Sequence, residues 1–128
     1  MSLRVLIADD TGFVRELLIQ QCESLGYIIV GEAANGQDAV SKAFSLCPDV
    51  VLMDLVMPVM NGFEAAEQIH AAMPQIDLVA LSSLEDEDIL QQSMARGFKA
   101  FLKKPLQRQQ FIQTFQSIEF QRKGRKHA

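Results

Sequence analysis

Disulfide chemistry has little to work with in this sequence, because 128 residues contain two cysteines, Cys22 and Cys47. Two thiols make no framework, and a reducing compartment is the simple reading. No apolar run approaches the ~18 residues that a membrane span requires. The N-terminus sets Arg4 inside an apolar run and two acids straight after it, which is no secretory signal. Low-complexity blocks and internal repeats are absent, and a hydrophobic content of 48% is too high for intrinsic disorder. Basic residues are scarce over most of the chain. Residues 1–95 hold three (Arg4, Arg15 and Lys42) against fifteen acids, whereas residues 96–128 hold nine against the single acid Glu119. The formal net charge of −4 hides that asymmetry. At this length one domain is expected, large enough to bury a core without disulfides or a structural metal. The bland expectation is a soluble cytoplasmic domain.

What is present is an alternation. Five short apolar runs, Leu3–Ala8, Ile28–Val30, Val50–Met53, Leu78–Leu81 and Ala100–Leu102, are separated by longer segments of helical character. The runs are mostly continuous rather than alternating, as in strands buried on both faces. The first helical segment carries apolar residues at 14, 17, 18, 22 and 25, with Gly26 as C-cap. Asn35-Gly36 opens the second, whose core stripe is Ala39, Val40, Ala43 and Phe44; Asn61-Gly62 opens the third, and Pro74 lies past its end. Four acids, Glu85 to Asp88, open the fourth at the positive end of its dipole, and Gly97 ends it. The last helix starts near Gln107 with Phe111, Ile112, Phe115 and Ile118 on one face, and residues 121–128, QRKGRKHA, read as a basic tail or the start of a linker. A (βα) unit repeated five times predicts an α/β, doubly wound parallel sheet over residues 1–120.

Function in such a sheet collects beyond the carboxyl ends of the strands. Those ends carry Asp9-Asp10, Asp54, Ser82-Ser83 and Lys103-Lys104-Pro105, while the second strand ends on Glu32 and two alanines and offers nothing obvious. Each alone has an ordinary explanation: Asp10 or Thr11 as a helix cap, Asp54 as a turn residue, Ser82 as a loop serine, Lys104 as a solvated charge. Together, three carboxylates at one sheet edge repel one another unless a cation sits among them. A hard divalent ion such as Mg²⁺, with Mn²⁺ as the alternative, answers that with oxygen ligands. A lysine and a hydroxyl then supply what a phosphoryl group needs, a point cation and a hydrogen-bond donor. Asp54 stands alone on the strand expected beside the first and is the candidate nucleophile, since carboxylates do form aspartyl phosphates.

With Val5-Leu6-Ile7-Ala8-Asp9-Asp10, the run VLMDLVMPVMNG at 51–62, Ser82 and FLKKP at 101–105, the sequence resembles the receiver domain of two-component response regulators, including single-domain chemotaxis regulators. The resemblance covers about residues 3–120. It implies a flavodoxin-like fold with strand order 2-1-3-4-5. It implies that Asp54 accepts a phosphoryl group from a sensor histidine kinase or phosphotransfer protein. It further implies Mg²⁺ bound by Asp10, Asp54 and the backbone carbonyl of Val56, with Asp9 acting through a water. Lys104 takes the phosphate-binding position and Lys104–Pro105 is expected cis. Ser82, helped by the Ser83 backbone N–H, would bind the phosphoryl group. Phe101 takes the aromatic switch position and would turn inward as Ser82 moves, reshaping the fourth helix, fifth strand and fifth helix for a downstream protein. The resemblance also sets Val56 and Leu84 at the positions that flank the path of a hydrolytic water in the family; both are apolar, which implies slow self-dephosphorylation.

His70 is expected to face solvent, and Cys22 and Cys47 to be inert packing residues. A signalling switch rather than an enzyme is therefore the leading expectation, acting alone or as the receiver part of a larger regulator with a DNA-binding or enzymatic output. Nucleic acid is a partner only in the latter case, because four basic tail residues without interleaved aromatics are a weak signal. Dimerisation stays open. A haloacid-dehalogenase-like phosphatase needs a second Asp where Val56 stands, and FMN binding needs a hydroxyl-rich loop where two carboxylates stand.

Overall fold

The computed structural model describes residues 2–83 and 87–126. Ten elements alternate along the chain: β1 (Arg4–Ala8), α1 (Gly12–Ser24), β2 (Ile28–Ala33), α2 (Gly36–Leu46), β3 (Val50–Asp54), α3 (Gly62–Ala72), β4 (Asp77–Ser82), α4 (Glu87–Ala95), β5 (Phe98–Lys103) and α5 (Arg108–Lys126). The strands form one parallel sheet in the order β2-β1-β3-β4-β5. Leu84, Glu85, Asp86 and His127 lie outside the described residues.

Apart from Arg4, Asp54, Asp77 and Ser82 at their ends, the central strands β1, β3 and β4 are continuously apolar because both of their faces are covered. Leu6, Val51, Met53, Leu78 and Ala80 point into the core beneath α2 and α3. Their neighbours Val5, Ile7, Leu52, Val79 and Leu81 point the other way, against α1 and α5. The period of two along each strand thus divides one apolar run between two cores. In α5, Phe111, Phe115 and Ile118 are buried as the spacing predicts, and Phe115 stacks between Phe111 and Tyr27. Tyr27 donates its hydroxyl hydrogen to Glu119, tying the start of the β2 segment to α5.

Some expectations are corrected. Phe44 lies on the α2 stripe but at the margin of the core, and is half-exposed. Cys22 is buried and its thiol pKa is pushed up to about 12, mainly by burial, which makes it inert. Cys47 is not a packing residue; it is exposed and caps α2 in the left-handed region at φ 48°. The strands β2 and β5 are longer than the apolar runs within them.

The largest difference lies at the C-terminal end, where the expected basic tail is helix through Lys126. Arg122 and Arg125 reach back to Asp77 at 2.9 and 2.8 Å, and Arg122 also meets Asp49 at 2.9 Å. Lys99 completes the cluster, 3.0 Å from Asp77. Asp77 is 3% exposed; burial alone raises its pKa, but hydrogen bonds from Arg125, Arg122 and Lys99 hold it below the usual carboxylate range. A carboxyl with a depressed folded-state pKa contributes stability above its unfolded value of ~3.9. That contribution disappears as the pH falls through the folded value. Asp77→Asn is expected to cost about 2–3 kcal/mol at pH 7, below the full figure for a buried pair because its cations can turn to water. Urea unfolding across pH should show the variant losing less stability than wild type on the acid limb.

Candidate functional site

Two tight turns carry the first carboxylates to the same edge. After β1 the chain turns at Asp9-Asp10, with the Thr11 N–H donating to Asp9 Oδ1 at 2.9 Å. After β3 it turns at Asp54, whose Oδ1 accepts the Val56 N–H at 3.2 Å. Asn61 caps α3 by accepting the Glu64 N–H at 3.0 Å, and Asn35 caps α2 in the same way. Gly36 and Gly62 are required here by space. A Cβ on Gly62 would lie 2.3 Å from the Asp54 carbonyl oxygen, and one on Gly36 would lie 2.1 Å from that of Met60. The two Asn-Gly pairs therefore lock the loop between β3 and α3 in place.

Asp9, Asp10 and Asp54 each present one carboxylate oxygen within 4.8 Å of the others. Asp9 is fully buried, Asp54 is 7% exposed, and Asp10 faces solvent. The loop after β5 brings in Lys104, whose Nζ donates to Asp9 Oδ2 at 2.7 Å and to Asp54 Oδ2 at 3.1 Å. The Lys104–Pro105 bond is cis. The Lys104 N–H donates to the Ser82 carbonyl at 2.8 Å, and the Leu55 N–H to the Leu81 carbonyl at 3.0 Å, so the edges of β3, β4 and β5 are joined. Burial pushes the Asp54 pKa up, and the Asp9 charge adds to that against the opposing Val56 N–H and Lys104. For Lys104, burial opposes the charge but is outweighed by Asp9 and Asp54, which hold its pKa above the ordinary value.

Each residue singled out in the sequence has a definite place. Ser82 ends β4 and is buried; Ser83 follows it and is exposed. Phe101 is half-buried in β5, packed on the core beneath α2 and α3. Lys103 is an exposed neighbour of Lys104, and His70 is exposed with its ring against Gly97. Val56 is 63% exposed beside Asp54.

Two features escaped the sequence. Arg15 on α1 donates from Nη1 to the Asp9 carbonyl at 2.8 Å and pairs through Nε with Glu32 at 3.0 Å. The one available signal was its scarcity, a cation among fifteen acids. The second is Val59, which sits at φ 70° and is 78% exposed. A β-branched residue in the left-handed region is strained by about 1–2 kcal/mol. Val59→Asn, a residue that tolerates this region, is expected to raise stability by about 1 kcal/mol, read as a higher urea midpoint.

The family model for the response regulator receiver domain matches residues 5–116. The chain belongs to the response regulator receiver family. It is 35% identical to the chemotaxis protein CheY of Thermotoga maritima over 118 residues, covering 92% of this chain and 98% of that protein. It is 39% identical over 102 residues to the transcriptional regulatory protein PdtaR of Mycobacterium tuberculosis, covering 80% of this chain and 49% of that protein. Among solved structures it resembles the CheX–CheY–BeF3–Mg²⁺ complex from Borrelia burgdorferi, at a TM-score of 0.87 and 31% identity, over 91% of this chain and 88% of that one. Receiver domains are signalling switches of two-component systems rather than classical enzymes, and the acidic pocket of Asp9, Asp10 and Asp54 fits phosphorylation and Mg²⁺ binding. Among the described residues, no helix is long and apolar enough to cross a membrane.

Proposed function

We propose that this receiver domain takes a phosphoryl group onto Asp54 from the phosphohistidine of a sensor histidine kinase or phosphotransfer protein, in the cytoplasm, and that the modified domain acts on a partner protein. The observation that carries the reading is the Lys104 ammonium held between Asp9 and Asp54 with Asp10 alongside. A half-buried lysine shared by two carboxylates has no structural need for a third acid next to it.

The donor set suits a hard divalent cation. Mg²⁺ is characteristically held by one or two carboxylates and waters, and the oxygens of Asp9, Asp10 and Asp54, within 4.8 Å of one another, are donors of that kind. Asp10, Asp54 and the Val56 carbonyl would hold it directly, with Asp9 acting through a water. When bound, the ion offsets the negative charge that gathers as a phosphoryl group meets three carboxylates.

Asp54 Oδ forms the new bond to phosphorus while the phosphorus–nitrogen bond of the donor breaks. The imidazole nitrogen leaves with the electron pair, and because the other ring nitrogen of the donor carries a proton, the ring departs as neutral imidazole. Lys104 then pairs with a phosphoryl oxygen, and the Ser82 hydroxyl and Ser83 N–H donate to the others. A group of nearly two negative charges draws the Ser82 loop inward. Phe101, half-buried against the core, follows into the space the loop vacates, and the surface of α4, β5 and α5 changes with it. Both arrangements pre-exist, and phosphorylation shifts their populations. Exposed apolar side chains at Phe13, Leu17, Val56 and Val59, on α1 and the β3–α3 loop, suit a protein donor better than a small solute.

A longer regulator uses the same site. The match to PdtaR, of which this chain spans about half, supports that second reading, with nucleic acid entering only through an output region. The test common to both is incubation with a small phosphodonor and MgCl2, followed by intact mass. Wild type is expected to gain one phosphoryl group and Asp54→Asn none; equal gain by both would remove Asp54 from the mechanism.

A further inference from the structure

We propose that Arg15 is a positioning residue for cation binding. Its guanidinium fixes the turn between β1 and α1 that carries Asp9 and Asp10, with Glu32 as its anchor. The inference rests on reading the acidic cluster as a cation site. The geometry is a bridge across three elements. From the first turns of α1 the side chain reaches the Asp9 carbonyl at the end of β1, at 2.8 Å, and the Glu32 carboxylate near the end of β2, at 3.0 Å. Three-quarters of the Arg15 side chain is shielded from solvent.

The turn needs such a restraint. Thr11 occupies the N-cap of α1 but makes no side-chain capping bond, and the first turn of the helix contains no acid. The corresponding turns before α2 and α3 are both fixed by capping asparagines. At α1 the long arginine does what a short cap does elsewhere, from the opposite side of the loop. Asp9 is then held at its N–H by the Ala33 carbonyl, at its carbonyl by Arg15, and at its two carboxylate oxygens by Thr11 and Lys104. Among the described residues the Asp10 side chain has no such anchor, and its direction is inherited from Asp9. A residue that orients ligands without touching the ion typically changes metal affinity by about 10–100-fold when removed.

The charge of Arg15 makes the test decisive, because two roles predict opposite signs. A cation that merely sits near the acids repels a second cation, so its removal tightens binding. Glu32 already balances that charge, and the positioning role predicts that removal weakens binding. The full chain of wild type, Arg15→Ala and Arg15→Lys is titrated with MgCl2 alone, following the amide NMR shifts of Asp10, Leu55 and Val56. Urea midpoints are measured in EDTA in parallel. Expected are saturable binding by wild type, about tenfold weaker binding by Arg15→Ala, and an intermediate value for Arg15→Lys, which keeps the charge but cannot fork between Asp9 and Glu32. Binding by Arg15→Ala that equals or exceeds wild type overturns the proposal. If Arg15→Ala proves unfolded in EDTA, the lysine variant decides, with wild-type affinity overturning the proposal and weakened affinity supporting it. No saturable binding by wild type overturns the cation site itself, a failure distinct from an Arg15 variant that binds as well as wild type.

Discussion

Lys104→Met is expected to slow phosphoryl transfer to Asp54 by about a hundredfold or more, the usual cost of removing one preorganised charge from a reacting centre. The same change should weaken the fold in buffer free of divalent ions. Asp9 is fully buried and Asp54 nearly so, and the ammonium at 2.7 and 3.1 Å is the cation the two share. Methionine keeps the length of the stem and leaves two buried carboxylates facing one another. Each retains a backbone N–H donor, from Thr11 and from Val56, so the loss should be about 2–4 kcal/mol rather than the cost of a bare buried ion. Added Mg²⁺ should recover part of that stability in the variant, since a dication can replace the missing counter-charge. It should recover little of the rate, because the lysine also has to meet the phosphoryl oxygens. Urea unfolding with and without MgCl2, alongside the time course of mass gain from a small phosphodonor, separates the two effects. A variant phosphorylated at the wild-type rate would show that Lys104 has no part in the transfer. The raised pKa of Lys104 sets the pH window of its contribution. The pairing is complete below the unfolded value of ~10.4 and is lost as the pH rises through the folded one.

What the sequence disclosed and what it withheld follow from where information is local. The strands β1, β3 and β4 were legible because each is interior and its two faces are both covered, which leaves a continuous apolar run ending abruptly in Asp9, Asp54 or Ser82. The strands β2 and β5 lie at the sheet's edges, where Glu32 and Lys99 meet solvent, so their apolar segments understate their length. Asn35-Gly36 and Asn61-Gly62 were legible as helix starts because a cap is a contact within three residues. The C-terminal basic segment was not, because Arg122 meets Asp77 and Asp49 across 45 and 73 residues of chain. Nothing near QRKGRKHA says that two of its cations are spoken for. Arg15 and Glu32, seventeen residues apart, were hidden for the same reason. Val59 failed differently. A left-handed backbone under a valine contradicts its propensity, and such contradictions are seen only in three dimensions.

Val56→Asn is expected to shorten the life of the phosphorylated state by about tenfold. Val56 stands two residues after Asp54, donates its N–H to the Asp54 carboxylate, and turns its side chain out to solvent at the mouth of the pocket. Hydrolysis of an aspartyl phosphate needs a water in line with the phosphorus–oxygen bond. A side chain that can hydrogen-bond that water converts a rare encounter into a held geometry. Valine can do neither part of this, having no donor or acceptor and presenting a branched apolar surface where the water would sit. Asparagine has nearly the same volume and offers both a carbonyl and an amide. Because Val56 is exposed, the exchange should leave the fold within about 0.5 kcal/mol of wild type. The forward rate should change less than the decay, since the backbone carbonyl and N–H at position 56 are kept. The measurement is the decay of the phosphorylated species by intact mass after removal of the donor, at fixed Mg²⁺. Faster decay with unchanged unfolding places the water beside residue 56; unchanged decay would mean that the lifetime is set elsewhere in the site.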